Sequence, residues 1–323
     1  MDRDRKIAGV ICALVAFMLF AGRTWAQDLK KATVATTSAG AAAGLISKII
    51  NDQRLDKKQG LDIDFKYFDP AKAEEAVFFK TVDAGIFAPV SAVRANLKGQ
   101  MIQLFQPIML SHFSIVVPTD SPVKTIEDLK GKKLGLLARV SAMYTSFATI
   151  VKMRGGDIEK DYQLTFGTPQ ALNAFLLRKD MDAIGQFDAF TSKLLAANQA
   201  REIATFNDLW RSETGQPLLI IGIAAHKEWI DKNQDLARRL GRAFADGVRM
   251  LKTNPAKVIE EQKEFLGVKT PEEVRLVTSR MPGIFVEGWT PKLLENTKFL
   301  IQKNVEMKIL DQMPREEFLR NLE

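Results

Sequence analysis

Cysteine is almost missing from this chain. Cys12 is the only one in 323 residues, and it falls in an apolar stretch near the amino terminus. Beyond that stretch there is no thiol, which excludes disulfide scaffolding, cysteine-ligated metals and thiol catalysis. Histidine is nearly as scarce: His112 and His226 stand far apart in the sequence. A histidine-built metal or acid–base site is therefore not expected, and no carboxylates have the spacing of a calcium loop. No cofactor is expected. The GxSxG elbow, the P-loop and the HExxH helix are all absent. After residue 26 no apolar run is long enough to suggest a membrane bundle. Charge of one sign is not concentrated either. The net charge is +7, but acids and bases alternate, as in Asp56-Lys57-Lys58. Nucleic acid, which calls for a basic stripe with aromatics, is not an expected partner.

What is present begins with a short leader pattern. Arg3, Arg5 and Lys6 precede an apolar run over residues 7–22, and Thr24-Trp25-Ala26 sets small residues at the two positions a signal peptidase reads. Residues 1–26 are expected to be a cleaved secretory signal, leaving Gln27 as the first residue. Cys12 lies inside the apolar run, so it is not a lipid-attachment cysteine. With 46% hydrophobic and 26% charged residues, the remainder reads as globular and long enough for two cores.

The chain also repeats itself. In Val82-Asp83-Ala84-Gly85-Ile86-Phe87-Ala88-Pro89-Val90-Ser91, Ala84–Phe87 reads as a short apolar strand that Pro89 ends, set between helix-like runs over residues 73–80 and 92–98. About a hundred residues on, Met181-Asp182-Ala183-Ile184-Gly185-Gln186-Phe187-Asp188 sits between similar runs at 171–178 and 190–197. In open α/β sheets ligands lie outside the carboxyl ends of strands, so two such ends suggest two lobes facing one cleft. Around the first copy, strands are expected at 31–36, 61–65 and 101–105, with a helix over 41–51 that Ser38 could cap. This alternation predicts a parallel sheet with right-handed crossovers. Around the second, strands are expected at 113–117, 133–137 and 162–166, with a short helix at 125–131 and a longer one at 142–154. Residues 218–224 are wholly apolar and read as a return crossing to the first lobe. The chain from residue 228 on reads as helical, with Pro255, Pro271 and Pro291 at helix starts.

Three stretches carry a family likeness: residues 55–63, residues 82–91 with the helix to Gly99, and Ser121-Pro122-Val123-Lys124-Thr125-Ile126-Glu127-Asp128-Leu129-Lys130-Gly131 with the strand after it. Through them the chain resembles the type II periplasmic solute-binding proteins of ABC importers, in particular the nitrate/sulfonate/taurine receptors and their thiamine-pyrimidine-precursor-binding relatives. The resemblance implies an α/β, two-lobed periplasmic binding protein type II fold. Each lobe would be a mostly parallel sheet flanked by helices, and two hinge strands would join them. Lobe one would be 27–112 plus 223–323, and lobe two 113–222.

The family's ligand positions fall on Thr37, Ser38, Phe87 and Ser91 in lobe one, and on Ser111 and His112 at the first crossing. In lobe two they fall on Arg139, Ser141, Gln186 and Asp188. Helix amino termini there would suit an anion, and Arg139 would add a fork of donors. Asp188 could hold a ligand ammonium or counter Arg139. Structural alternatives stay open: Arg139 as a surface ion pair, His112 as a structural histidine, Asp188 as a helix cap, the phenylalanines as core. One departure is Leu137-Ala138-Arg139-Val140-Ser141, where the group usually carries a glycine- and serine-rich loop. The expected function is a monomeric periplasmic receptor, not an enzyme. It would pass a small anionic or zwitterionic organic solute to an inner-membrane ABC permease with its ATPase. The alternatives are a pyrimidine-precursor synthase, whose cysteine-rich motif has no counterpart here, and a ligand sensor docking on a membrane partner.

Overall fold

A computed structural model of the chain describes residues 29–322. The expected signal segment, residues 1–26, and the cleavage before Gln27 lie outside the described residues.

Among the described residues, ten strands form two five-stranded sheets. They are β1 (Lys30–Thr37), β2 (Leu61–Phe68), β3 (Ala84–Phe87), β4 (Ile102–Leu110), β5 (Phe113–Pro118), β6 (Lys133–Leu136), β7 (Gln163–Phe166), β8 (Ala183–Phe187), β9 (Ala200–Thr205) and β10 (Leu219–His226). The first sheet runs β2-β1-β3-β10-β4 and the second β7-β6-β8-β5-β9. In each, the first three strands are parallel, and the fourth runs antiparallel to both of its neighbours. The antiparallel strands, β10 and β5, are the ones that arrive directly from a crossing between sheets. This is the two-lobed binding-protein fold, each lobe a mixed sheet in which one antiparallel strand interrupts the expected parallel order.

The repeated Asp-Ala pair has a physical explanation. Asp83 accepts from the Thr33 amide at 2.7 Å and its hydroxyl at 2.8 Å. Asp182 accepts from the Lys133 amide at 2.8 Å. In both lobes the aspartate pins the neighbouring parallel strand, β1 or β6, just before the alanine that pairs with it. The echo therefore fixes register at the starts of β3 and β8, away from their carboxyl ends. β3 is buried at all four positions. A Cβ at Gly85 would come within 2.8 Å of the Ala35 Cβ, so close approach of β1 requires glycine there.

Several elements exceed or escape the sequence reading. β4 extends to Leu110 because an irregular register with β10 accommodates Pro107. The expected helix at 125–131 is a single 3-10 turn, Glu127–Leu129. β9 and the helix Phe206–Thr214 fall where no element was expected. The return crossing is β10, whose pairing with β4 begins at Leu219. The two crossing segments are tied to each other, the Ser111 amide donating to the Leu218 carbonyl at 2.7 Å. Apolar packing runs through them, so both sheets share one continuous core cluster.

The carboxy-terminal helices reach across. The helix Pro271–Arg280 packs against Phe190–Ala196, which follows β8. In the helix Pro291–Glu306, Asn304 accepts from Thr149 at 3.0 Å, and Phe299 meets Trp210 edge-on. Pro271 and Pro291 sit at first-turn positions, behind Thr270 and Thr290 as capping residues.

Candidate functional site between the lobes

A cavity of about 340 Å³ opens between the carboxyl ends of β1, β3 and β8. Thr37 ends β1 and Phe87 ends β3, so strand geometry delivers both to it. Ser91 lies in the first turn of the helix Pro89–Leu97, and Ser141 caps the helix Ala142–Met153. His112 stands at the first crossing. These five of the expected residues line one space. Ser141 already accepts from the Tyr144 amide at 3.2 Å. Three lobe-one helices start at the cavity, with Ala41, Asp69 and Ala88 at their N-caps and no side-chain cap. Their first-turn amides therefore lack the usual side-chain acceptor.

Two buried polar atoms in the lining have no protein partner. They are Thr37 Oγ1 and His112 Nδ1, on residues 2% and 7% exposed. Unpaired buried polar groups are costly, and both of these residues face a space able to hold a partner. Burial holds the His112 imidazole down at about 4, against the opposing pull of Asp188. His112 is therefore neutral near pH 7, with its ring against Phe113 and Phe187.

The other expected residues lie elsewhere. Arg139 is on the surface: Nε and Nη2 donate to Glu159 at 2.9 and 2.6 Å, and the guanidinium stacks over Phe166 at 4.8 Å. Its neighbour Val140 reaches the cavity instead. Asp188 is buried, accepts from the Ser192 amide and hydroxyl, and pairs with Arg280 rather than Arg139. Gln186 is consumed structurally, donating to Pro169 and Asn173. Ser38 does not cap the helix Ala42–Asp52, and neither Ser38 nor Ser111 lines the cavity. Replacing Arg139 with alanine is expected to change the affinity of any captured solute by less than about twofold, as for an exposed ion pair. Titration calorimetry reads this directly, and a loss beyond about tenfold would mean Arg139 reaches the solute.

Sequence reasoning missed the charged end of the cavity. Glu74, on the helix Pro70–Phe78, and Arg94, on Pro89–Leu97, both line it, as does the exposed Lys98. Burial pushes the Glu74 carboxyl up to about 7, opposed by the Ala88 amide, which donates to it at 2.8 Å, then by Ser91 and Arg94. Burial also lowers Arg94, with Glu74 and Asp311 opposing. Arg94 has no ion pair within 4.0 Å among the described residues; its contact is a 3.5 Å hydrogen bond to Thr145 of the second lobe. The available signal was spacing: Arg94 is one turn past Ser91 on the same helix face.

Two sheets of this topology, joined by two crossings and facing one cleft, define the class of two-lobed periplasmic binding folds. Solved structures agree. An alkanesulfonate-binding protein, SsuA, from Xanthomonas axonopodis pv. citri bound to MOPS superposes with TM-score 0.76 at 15% identity, covering 91% of this chain and 99% of that one. The aliphatic sulphonate binding protein SsuA of Escherichia coli gives 0.70 at 17%, covering 88% and 95%. An ABC transporter protein from Parabacteroides distasonis gives 0.64 at 14%, covering 91% and 99%. No curated protein matches. The NMT1/THI5-like family matches over residues 57–258, and the chain belongs to that family.

Proposed function

We propose that this protein is an extracytoplasmic solute receptor. It captures a small anionic or zwitterionic organic solute between its lobes and hands it to an ABC permease, without doing chemistry on it. The observation that carries this reading is the cavity itself. It is lined from both sheets, with Thr37 Oγ1 and His112 Nδ1 unpaired and Arg94 free of any carboxylate partner within ion-pair distance. A solute touching both lobes binds the closed arrangement better than an open one and shifts the population toward closure. The binding of sulfonates by two fold neighbours supports an anion as cargo. The reading takes residues 27–112 with 223–323 as one lobe and 113–222 as the other, in a monomer facing the periplasm. Native mass spectrometry of the exported protein is the test. One small organic solute should leave on unfolding, and its return should compact the protein in solution scattering. A protein that carries no solute from its native extract and never compacts would overturn the proposal.

A further inference from the structure

Glu74, Ser91 and Arg94 stand together in the lining, and most of the rest of the wall is hydrocarbon. Phe78, Phe87, Phe113 and Phe187 line it, together with Met109 and Met143. All but Phe78 are buried. Phe187 is held edge-on by His112 at 5.7 Å and by Phe190 at 5.3 Å, so its face is fixed. Such a wall gains by exchanging water for an apolar body. The space, about 340 Å³, is roughly ten times the share of one water in the liquid. A compact oxyanion would leave most of it wet against phenylalanine faces. Lys98 is exposed and screened by solvent, so the half-buried Arg94 guanidinium is the cation that balances one negative charge. Glu74 stands beside it and opposes a second.

We propose that the cavity takes a ring-bearing organic monoanion, its carboxylate or sulfonate on Arg94 and its ring among the phenylalanines and methionines. This rests on the receptor reading and narrows its cargo. Thr37 and His112, also in the lining, would meet a polar substituent or the edge of the charged group. A carboxylate and a sulfonate share the chemistry Arg94 recognises, and the test separates them.

Titration calorimetry on the signal-free chain, first freed of bound solute by unfolding and refolding, uses benzoate, benzenesulfonate, acetate, methanesulfonate and benzyl alcohol as probes. At least one ring-bearing anion should bind more than about thirtyfold tighter than its small counterpart, from the apolar area it buries. It should also bind more than about tenfold tighter than the uncharged alcohol, from its contact with Arg94. Arg94→Ala should remove that second advantage while leaving the alcohol's affinity unchanged. Should that variant fail to fold by circular dichroism, Arg94→Lys should still weaken the anion selectively, since a point charge lacks the fork. Equal binding of acetate and benzoate, or of benzoate and the alcohol, overturns the proposal. So does an anion affinity indifferent to residue 94, or no binding by any ring-bearing anion. If none binds but the native protein carries another solute, the receptor reading stands and this narrowing of it falls. If it carries none and never compacts, both fall.

Discussion

Replacing Arg280 with alanine is expected to cost the fold about 3 kcal/mol, within the range measured when one partner of a buried ion pair is removed. Arg280 Nε donates to Asp188 at 2.8 Å and Nη1 donates to Glu202 at 2.7 Å. Both carboxylates belong to the second sheet's side, and Asp188 has only 3% of its side chain exposed. Burial works against the guanidinium's charge, yet Glu202 and Asp188 together hold it above the ordinary arginine value. Without it, two carboxylates face each other with Ser192 and Ser114 as remaining donors. Just past Arg280, Val286 donates to the Ile108 carbonyl of β4 at 2.8 Å. The segment is thus fastened to one sheet by charge and to the other by backbone. Urea unfolding should show the loss as a lower midpoint, and Arg280→Lys should recover only part of it because an ammonium cannot fork to two acids. A midpoint shift equivalent to less than about 0.5 kcal/mol would mean the cluster behaves as a solvated surface pair.

Affinity for an anionic solute is expected to fall as pH rises through about 7, and Glu74→Gln should abolish that dependence. The Glu74 carboxyl titrates near 7. An anion brought to Arg94 raises it further, because a like charge disfavours ionisation. The bound state then holds a proton that the free state has lost, so binding takes up a proton above pH 7. Affinity declines by at most about tenfold per pH unit until the bound form also ionises. His112, held at about 4, does not titrate across that window, and His226 does not line the cavity. The unliganded protein carries a related signature. Its Glu74 pKa is raised above the ordinary 4.5, so the folded state binds more protons than the unfolded one between those values. Glu74's contribution to stability therefore falls as pH rises from 4.5 to 7. Calorimetric titrations at pH 6, 7 and 8, about one decade of proton activity apart, read the first effect. A wild-type profile as flat as that of Glu74→Gln would show that Glu74 is not coupled to the solute.

The strand ends were legible because local chemistry marks them. β3 is bounded by an aspartate before it and a proline after it, and its bounds match the sequence reading at Ala84 and Phe87. Thr37, Phe87 and Ser141 follow from the rule that parallel strands deliver their carboxyl ends to a ligand. Arg139 obeys the same rule by position, but its partner Glu159 lies twenty residues on, and nothing local announces that pairing. Glu74 and Arg94 were hidden for the opposite reason. Along the sequence they look like ordinary solvated helix charges, and only the packing of the helix Pro70–Phe78 on β1 and β3 and of Pro89–Leu97 on β4 and β10 turns them inward. β9 and the helix after it escaped because Ala200-Arg201-Glu202-Ile203-Ala204-Thr205 has no clean alternation. Its place is set by pairing with β5, more than eighty residues earlier.

The position of β10 has a consequence for the order in which the two halves can form. Every strand of the second sheet comes from residues 113–205, so that sheet can close as soon as its own stretch of chain is available. The first sheet cannot. Among the strands of its sheet β4 pairs only with β10, and isolated bridges tie it to Phe285 and Leu319; all of these partners are made after the whole second sheet. Until then β3 and β4 wait with open edges, a state that invites mispairing. The half of the molecule that begins first is therefore the half that finishes last.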